Sequence, residues 1–203
     1  MIMSENNNNI AMTITSNEAI RHLKNGEVIA YPTEAVFGLG CDPRNHFALE
    51  KILKLKERQS NKGLILIASD VQQISFFTDL SSVSKDIQDK INASWPGFVT
   101  WLLPINKANL SQIDPIIYGQ YNTIAVRVSS HPTVVELCRL FNHSIISTSA
   151  NVSGGSEIKD RQLMQQFILQ DQSNSIAGIV EGELGSDTKP SSIIDALSGK
   201  QIR

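Results

Sequence analysis

Short apolar runs that stop abruptly at hydroxyls, amides or cations constrain this chain more than any other feature. Glu27 to Tyr31, Phe37 to Gly40, Leu64 to Ala68, Phe98 to Leu103, Thr123 to Val128, Ser144 to Ser147, Ile176 to Val180 and Ile193-Ile194 all have this form. Runs of this length and composition fit buried strands, and their polar ends fit the loops where an α/β domain collects its ligand groups. Pro32, which has no N–H for a ladder, is expected to stop the first run.

Helical spacing fills the intervals. From His46 to Arg58 the apolar Phe47, Ala48, Leu49, Ile52, Leu53 and Leu55 return on one face, while Glu50, Lys51 and Lys54 take the other. Further helices are predicted over Val71 to Phe77, Val83 to Ile91, His131-Pro132 to Phe141, where proline suits a first turn, and near 160 to 170. Residues 104 to 122 read as a loop. Strands and helices mix throughout without repeat or linker, which predicts an α/β fold with a mixed sheet and flanking helices.

With 203 residues and 41% hydrophobic content the chain suits one core, so 13 to 203 are expected to form a single domain. The Asn-rich residues 1 to 12 read as a disordered leader rather than a signal peptide. A formal net charge of -2 creates no overall attraction to nucleic acid, so any anion site must be local. Cys41 and Cys138 are far apart and match neither a disulfide framework nor a metal pair, which suits a reducing compartment, with the cytoplasm as default. No apolar stretch is long enough to span a membrane.

Several chemistries lack their signatures. There is no Gly-x-x-x-x-Gly-Lys-Ser/Thr phosphate loop and no Gly-x-Ser-x-Gly elbow. Pro43 occupies the position where a dinucleotide fingerprint begun by Gly38 and Gly40 needs its third glycine. The histidines have no spacing that would build a zinc site.

What remains is a set of polar clusters suited to a polyanion. Lys56, Arg58 and Lys62 precede the Leu64 strand closely enough to grip a triphosphate, although cations at a helix C-terminus also simply complement its dipole. Ser147, Thr148, Ser149 and Asn151 lead into Ser153-Gly154-Gly155, either an ordinary turn or a nest whose hydroxyls and N–H groups wrap a phosphate. Arg127 points opposite to Val126 and Val128, and a buried guanidinium requires either a structural carboxylate or that of a substrate. The Thr33 hydroxyl either contacts the same ligand or caps its own turn. Trp95-Pro96-Gly97 reads as packing and a tight turn.

Taken in order, these segments resemble the YrdC family of threonylcarbamoyl-AMP synthases, in the short single-domain form also called TsaC. The resemblance runs from about Asn17 onward. It rests on Tyr-Pro-Thr-Glu at 31 to 34 with Gly-Leu-Gly at 38 to 40, and Leu-Lys-Glu-Arg at 55 to 58 with Lys-Gly-Leu-Ile-Leu-Ile at 62 to 67. Trp-Pro-Gly at 95 to 97, Ala-Val-Arg-Val at 125 to 128, Ser-Thr-Ser-Ala-Asn-Val-Ser-Gly at 147 to 154 and Pro-Ser-Ser-Ile-Ile-Asp-Ala-Leu at 190 to 197 complete it. The family's usual Pro-Gly-Pro is Trp95-Pro96-Gly97-Phe98 here, Phe37 stands where the family often has Tyr, and Ala35 replaces a hydroxyl residue, which bears on cavity shape rather than on the reaction.

The resemblance implies a twisted, mixed and largely antiparallel sheet curved around a large, open, basic cavity. It implies an enzyme that joins L-threonine, bicarbonate and ATP into threonylcarbamoyl-adenylate, releases pyrophosphate, and serves tRNA threonylcarbamoyladenosine modification. By the same resemblance Lys56, Arg58, Ser149 and Asn151 are the catalytic set and hold the ATP phosphates, with Lys62, Thr123, Ser191 and Arg203 as further nucleotide contacts. Thr33, Arg127 and Ser147 would bind threonine. Mg2+ is implied with ATP, no metal site is expected in the protein itself, and the implied partners are tRNA or double-stranded RNA and a TsaB, TsaD and TsaE type transferase complex. Longer family members cover the site with a second domain; closure here would fall to a loop or a partner. A non-catalytic RNA-binding module is the alternative, and a carbamoyl-transfer role like that of hydrogenase-maturation proteins is a further one.

Overall fold

The computed structural model describes residues 12–203, so the expectation of a disordered leader falls almost wholly outside the described residues. In chain order the main elements are β1 (Thr13–Ile14), α1 (Ser16–Lys24), β2 (Val28–Pro32), β3 (Phe37–Gly40), α2 (His46–Leu55), β4 (Ile65–Ala68), α3 (Lys85–Ser94) and β5 (Val99–Pro104). There follow α4 (Pro115–Tyr118), β6 (Thr123–Val128), α5 (Pro132–Phe141), β7 (Ile145–Ser149), α6 (Arg161–Gln170), β8 (Ile176–Val180) and β9 (Ser192–Asp195). The strands form one mixed sheet in the order β1-β8-β2-β3-β7-β4-β6-β5-β9.

The period-2 pattern of the strands builds a core on each face of this sheet. Ile29, Tyr31, Ile67, Ile145 and Val180 pack with Ala19 and Leu23 of α1 and with Val134, Leu137 and Phe141 of α5. Their neighbours Val28, Ala30, Leu66, Ile146 and Ile179 face the other way, onto Ala48, Leu49 and Ile52 of α2 and Met164 of α6. Burying each such aliphatic side chain is worth roughly 1.5–3 kcal/mol, so this alternation fixes register along the strands.

Local chemistry sets the element ends. Thr15 and Glu18 form a reciprocal capping box on α1, Asn45 caps α2 through Ala48 N, and Asp160 caps α6 through Gln162 N and Leu163 N. The expected helix from His46 ends earlier than Arg58. Lys56 is its C-cap and Glu57 turns to φ 48°, which sends the Lys56 side chain toward β7. Val71 to Phe77 is only a 3-10 turn over Val71–Ile74 capped by Asp70, because Thr78 already bridges to Ile105. The expected Val83 to Ile91 helix lies at Lys85–Ser94.

The strand β2 does stop at Pro32, as expected, though Pro32 itself still belongs to the ladder. It is the last residue of β2 and pairs with Phe37 across the 33–36 turn, a terminal position where a missing N–H costs little. The presumed loop over 104 to 122 contains a 3-10 segment, Lys107–Gln112, and the short α4, which Asp114 caps through Ile116 N.

The strand that matters most for the site is β7. Its ladder with β4 ends at the Ile65↔Ser147 pair, whereas its ladder with β3 runs on to Gly38↔Ser149. Past Ser147, β3 and β4 therefore diverge, and the hydroxyls of 147 to 149 stand at the opening.

Candidate active site

The space at that divergence is a cavity of about 170 Å³ lined by Thr33, Ile65, Phe98, Arg127, Ser147, Ser149, Glu157, Ser191 and Arg203 among others. A second cavity of about 340 Å³ adjoins it through the shared Ile65 and Arg203, and is lined by Arg58, Lys62, Tyr118, Tyr121, Thr123 and a set of aliphatic side chains. Most of the predicted site residues thus come together around two neighbouring spaces: Thr33, Arg127, Ser147, Ser149 and Ser191 in the first, Arg58, Lys62 and Thr123 in the second, Arg203 in both.

In the first cavity Arg127 is 8% exposed and lies between two partners. Its Nη2 is 3.1 Å from Glu34 Oε2, and its guanidinium carbon lies 5.0 Å from the centre of the Phe98 ring. The pair is a contact of charges in which Oε2 receives no aligned hydrogen bond, and Arg127 Nε has no partner among the described residues. Burial pulls the Arg127 pKa below its ordinary value and the nearby Glu34 charge opposes that pull. The structural carboxylate and the ligand cavity, alternatives on sequence alone, are both present.

The other groups of this wall are similarly prepared. The Thr33 hydroxyl caps its own turn, donating to Val36 O at 2.7 Å, while the residue also lines the cavity. Ser191 shares a hydrogen bond with buried Thr100 at 2.9 Å, and its carbonyl accepts from Arg203 Nε at 3.1 Å. Ser191 and Arg203 therefore form one unit.

Lys56 and Asn151 line neither cavity. The Lys56 ammonium is 2% exposed and donates to Ser149 O at 2.6 Å, Asn151 O at 2.8 Å and Asn151 Oδ1 at 2.9 Å, which occupies every donor an ammonium has. Burial, followed by the nearby Arg58 charge, pushes its pKa down to about 8. Asn151 Oδ1 also accepts from Ser149 Oγ at 2.7 Å, and its amide donates to Gly155 O at 2.6 Å. In this state Lys56 and Asn151 fasten the loop that carries Ser149. The N–H groups of Ala150, Asn151, Ser153 and Gly155 all donate to protein carbonyls, so they do not form the open nest that the sequence suggested.

Arg58 faces the second cavity differently. Its Nη2 donates to Gly63 O at 3.0 Å and, more weakly, to Lys62 O at 3.3 Å, while Nε is buried with no partner among the described residues. The loop that it braces is fixed from the other side by Leu64 N to Ile117 O at 2.9 Å and Gln120 N to Asn61 O at 3.1 Å. Arg58 thus keeps unused donors in a rigid setting.

Sequence reasoning missed Glu34 and Glu157 as members of this neighbourhood, and tied Phe98 to cavity shape without its contact with Arg127. Glu34 stood inside the Tyr-Pro-Thr-Glu segment, but a site read as anion-binding gave no reason to seek a carboxylate in it. Among the described residues no group of three or more His, Cys, Asp or Glu side chains is arranged to hold a metal ion.

These features define a class: an α/β protein whose diverging strands hold fixed guanidinium groups and hydroxyls around two adjacent cavities, suited to small anionic ligands. The Sua5-yciO-yrdC family, described as "Telomere recombination", matches residues 21–203. A threonylcarbamoyl-AMP synthase of Xylella fastidiosa (strain M12) is 43% identical over 194 residues, covering 96% of this chain and all of that protein. Among solved structures, P. abyssi Sua5 complexed with L-threonine superposes with TM-score 0.76 at 24% identity, over 89% of this chain and 50% of that one. E. coli YciO gives TM-score 0.75 at 23% identity, over 92% and 86% respectively. The chain belongs to the Sua5-yciO-yrdC family, and the mixed α/β sheet expected from its sequence is that family's fold.

Proposed function

We propose that this protein is an L-threonylcarbamoyladenylate synthase, a nucleotidyltransferase that uses L-threonine, bicarbonate and ATP and releases pyrophosphate. The name carried by its 43% identical relative supports the reading. The observation that carries it is the junction of two cavities, one built around Arg127 and hydroxyls, the other around Arg58 and Lys62, with Arg203 common to both.

On this reading Arg127 takes the threonine carboxylate, and Thr33, Ser147 and Ser191 surround the amine and side chain. Arg58, Lys62, Ser149 and Arg203 meet the phosphates, Thr123 meets the nucleoside, and Lys56 and Asn151 hold Ser149 in place. The neutral amine attacks the bicarbonate carbon and loses a proton as a C–O bond breaks and water leaves, giving the carbamate; a carbamate oxygen then attacks the α-phosphorus in line as pyrophosphate leaves. No covalent enzyme intermediate is needed. Positioning and phosphate neutralisation supply the rate, as in other phosphoryl and nucleotidyl transfers.

The donor set fits Mg2+ carried in by ATP rather than held by the protein. Glu157 is the carboxylate on the cavity wall, and Mg2+ in such sites keeps phosphate oxygens and waters as most of its ligands. When bound, the ion would neutralise phosphate charge. The adenylate would then pass to a TsaB, TsaD and TsaE type complex acting on tRNA, in the cytoplasm. No helix among the described residues is long and apolar enough to cross a membrane.

The test is pyrophosphate release from ATP and Mg2+, with and without L-threonine and bicarbonate, alongside mass detection of the adenylate. Release that depends on both co-substrates is the expected result. Release indifferent to threonine, or none from folded protein, would sink the reading.

A further inference from the structure

A carboxylate beside the cation of an anion site needs a physical reason. Glu34 is 7% exposed and does not line the cavity; it sits behind Arg127. Oε2 pairs with Arg127 Nη2 at 3.1 Å, and Oε1 accepts from Ser129 Oγ at 2.6 Å. Ser129 Oγ in turn accepts from His131 N at 3.0 Å. The backbone is held as firmly: Glu34 O accepts from Asp187 N at 3.0 Å, and Thr33 O accepts from Gly185 N at 2.9 Å. A Cβ on Gly185 would lie 2.5 Å from Glu34 O, so that segment rests directly on the residue. Glu34 is immobilised from several directions.

Two effects of this carboxylate on an incoming anion oppose each other. Its charge weakens the attraction exerted by Arg127, but its contact also removes the ordering that a free arginine would undergo on binding. The anion still meets the Arg203 cation and the wall hydroxyls, so attraction does not depend on Arg127 charge alone. The Arg127 fork is held between Glu34 Oε2 at 3.1 Å and the Phe98 ring at 5.0 Å, and its Nε has no partner among the described residues.

We propose that Glu34 is a positioning residue for the amino-acid substrate: it fixes the Arg127 guanidinium so that its remaining donors meet the substrate carboxylate already oriented, without itself touching substrate. This rests on the reading of Arg127 as the carboxylate ligand.

The experiment compares Glu34→Gln, Ser129→Ala and Arg127→Lys in the full chain. It reads KM for L-threonine and for ATP, kcat, threonine Kd by calorimetry, and Tm. Glu34→Gln keeps shape and removes charge; it should raise threonine KM and Kd by about tenfold and leave ATP KM and kcat at saturating threonine within about twofold. Ser129→Ala frees Oε1 while leaving the charge, and should shift threonine in the same direction by about threefold. Should Glu34→Gln fail to fold, Ser129→Ala decides alone. Unchanged or tighter threonine binding overturns the proposal, as does an equal rise in both KM values with a fall in Tm, the mark of a merely structural residue. If Arg127→Lys weakens threonine binding but the other two do not, only the role of Glu34 fails. If Arg127→Lys also leaves threonine binding intact, the carboxylate-ligand reading itself fails, and the proposal with it.

Discussion

At the residue scale, the buried ammonium of Lys56 and its three oxygen partners fix the shape of the loop after Ser149. Lys56→Met would leave those oxygens without their donor in a closed space. The expected cost is about 2–4 kcal/mol in urea unfolding, with ATP turnover reduced by about a hundredfold or more. The pH response has a distinctive sign. The folded value, pushed down to about 8, lies below the ordinary 10.5, so between those values the unfolded chain binds more protons and this group makes stability rise with pH. The same titration removes donors from the Ser149 loop, so turnover should fall as pH passes about 8. Parallel pH profiles of Tm and pyrophosphate release check this; a joint fall in both would contradict it. Arg127 was legible because a lone guanidinium between two core valines must face away from them. Lys56 was legible as a cation but not as a buried brace, since nothing local reveals that its acceptors come from the turn after β7.

At the element scale, α4 is a single turn that supports the Arg58 to Gly63 loop through Ile117 O. Gly119 ends it at φ 61°, and a Cβ there would stand 2.4 Å from Asn61 O. Gly119→Ala should therefore cost about 1–3 kcal/mol by denaturation and raise ATP KM several-fold by displacing the cations of the second cavity, with threonine KM much less affected. Equal effects on the two substrates would show that the loop is not specific to the nucleotide. The same turn explains one limit of sequence reading. Asp114-Pro115 is a legitimate helix start, but four residues of helix carry too little periodicity to separate from a loop. The α1 helix is a different case, because Thr15 and Glu18 spell a capping box in the sequence itself, a local signal that could have placed this helix. The helices from Pro132 and Arg161 were legible because each has an apolar face several turns long.

At the scale of the whole molecule, the strands from β2 onward were legible one by one, the two-residue β1 was not, and the order of none of them was. Apolar runs reveal burial, yet β1 pairing with β8 and β5 with β9 are decided by contacts between distant parts of the chain. The cavity was illegible for the same reason, since it is made where the ladders on the two edges of β7 stop at different residues. The last residues provide a test at this scale. Ile202 N donates to Ile193 O at 2.7 Å and Ile193 N to Arg203 O at 3.1 Å, all at the exposed margin of β9. Deleting 201 to 203 should lower turnover by about tenfold or more through loss of Arg203, while Tm falls by only a few degrees and far-UV circular dichroism is retained. A large loss of Tm would instead make those residues part of the folding unit.

The position of Ser191 and Arg203 in the chain also has a consequence for synthesis. A ribosome has made β2, β4, β6 and β7, and with them Thr33, Arg58, Arg127 and Ser149, well before residues 191 to 203 leave the exit tunnel. Until then the Arg203 side chain shared by the two cavities is missing, so on the proposed reading a nascent chain that already has most of its strands still lacks the means to turn over ATP.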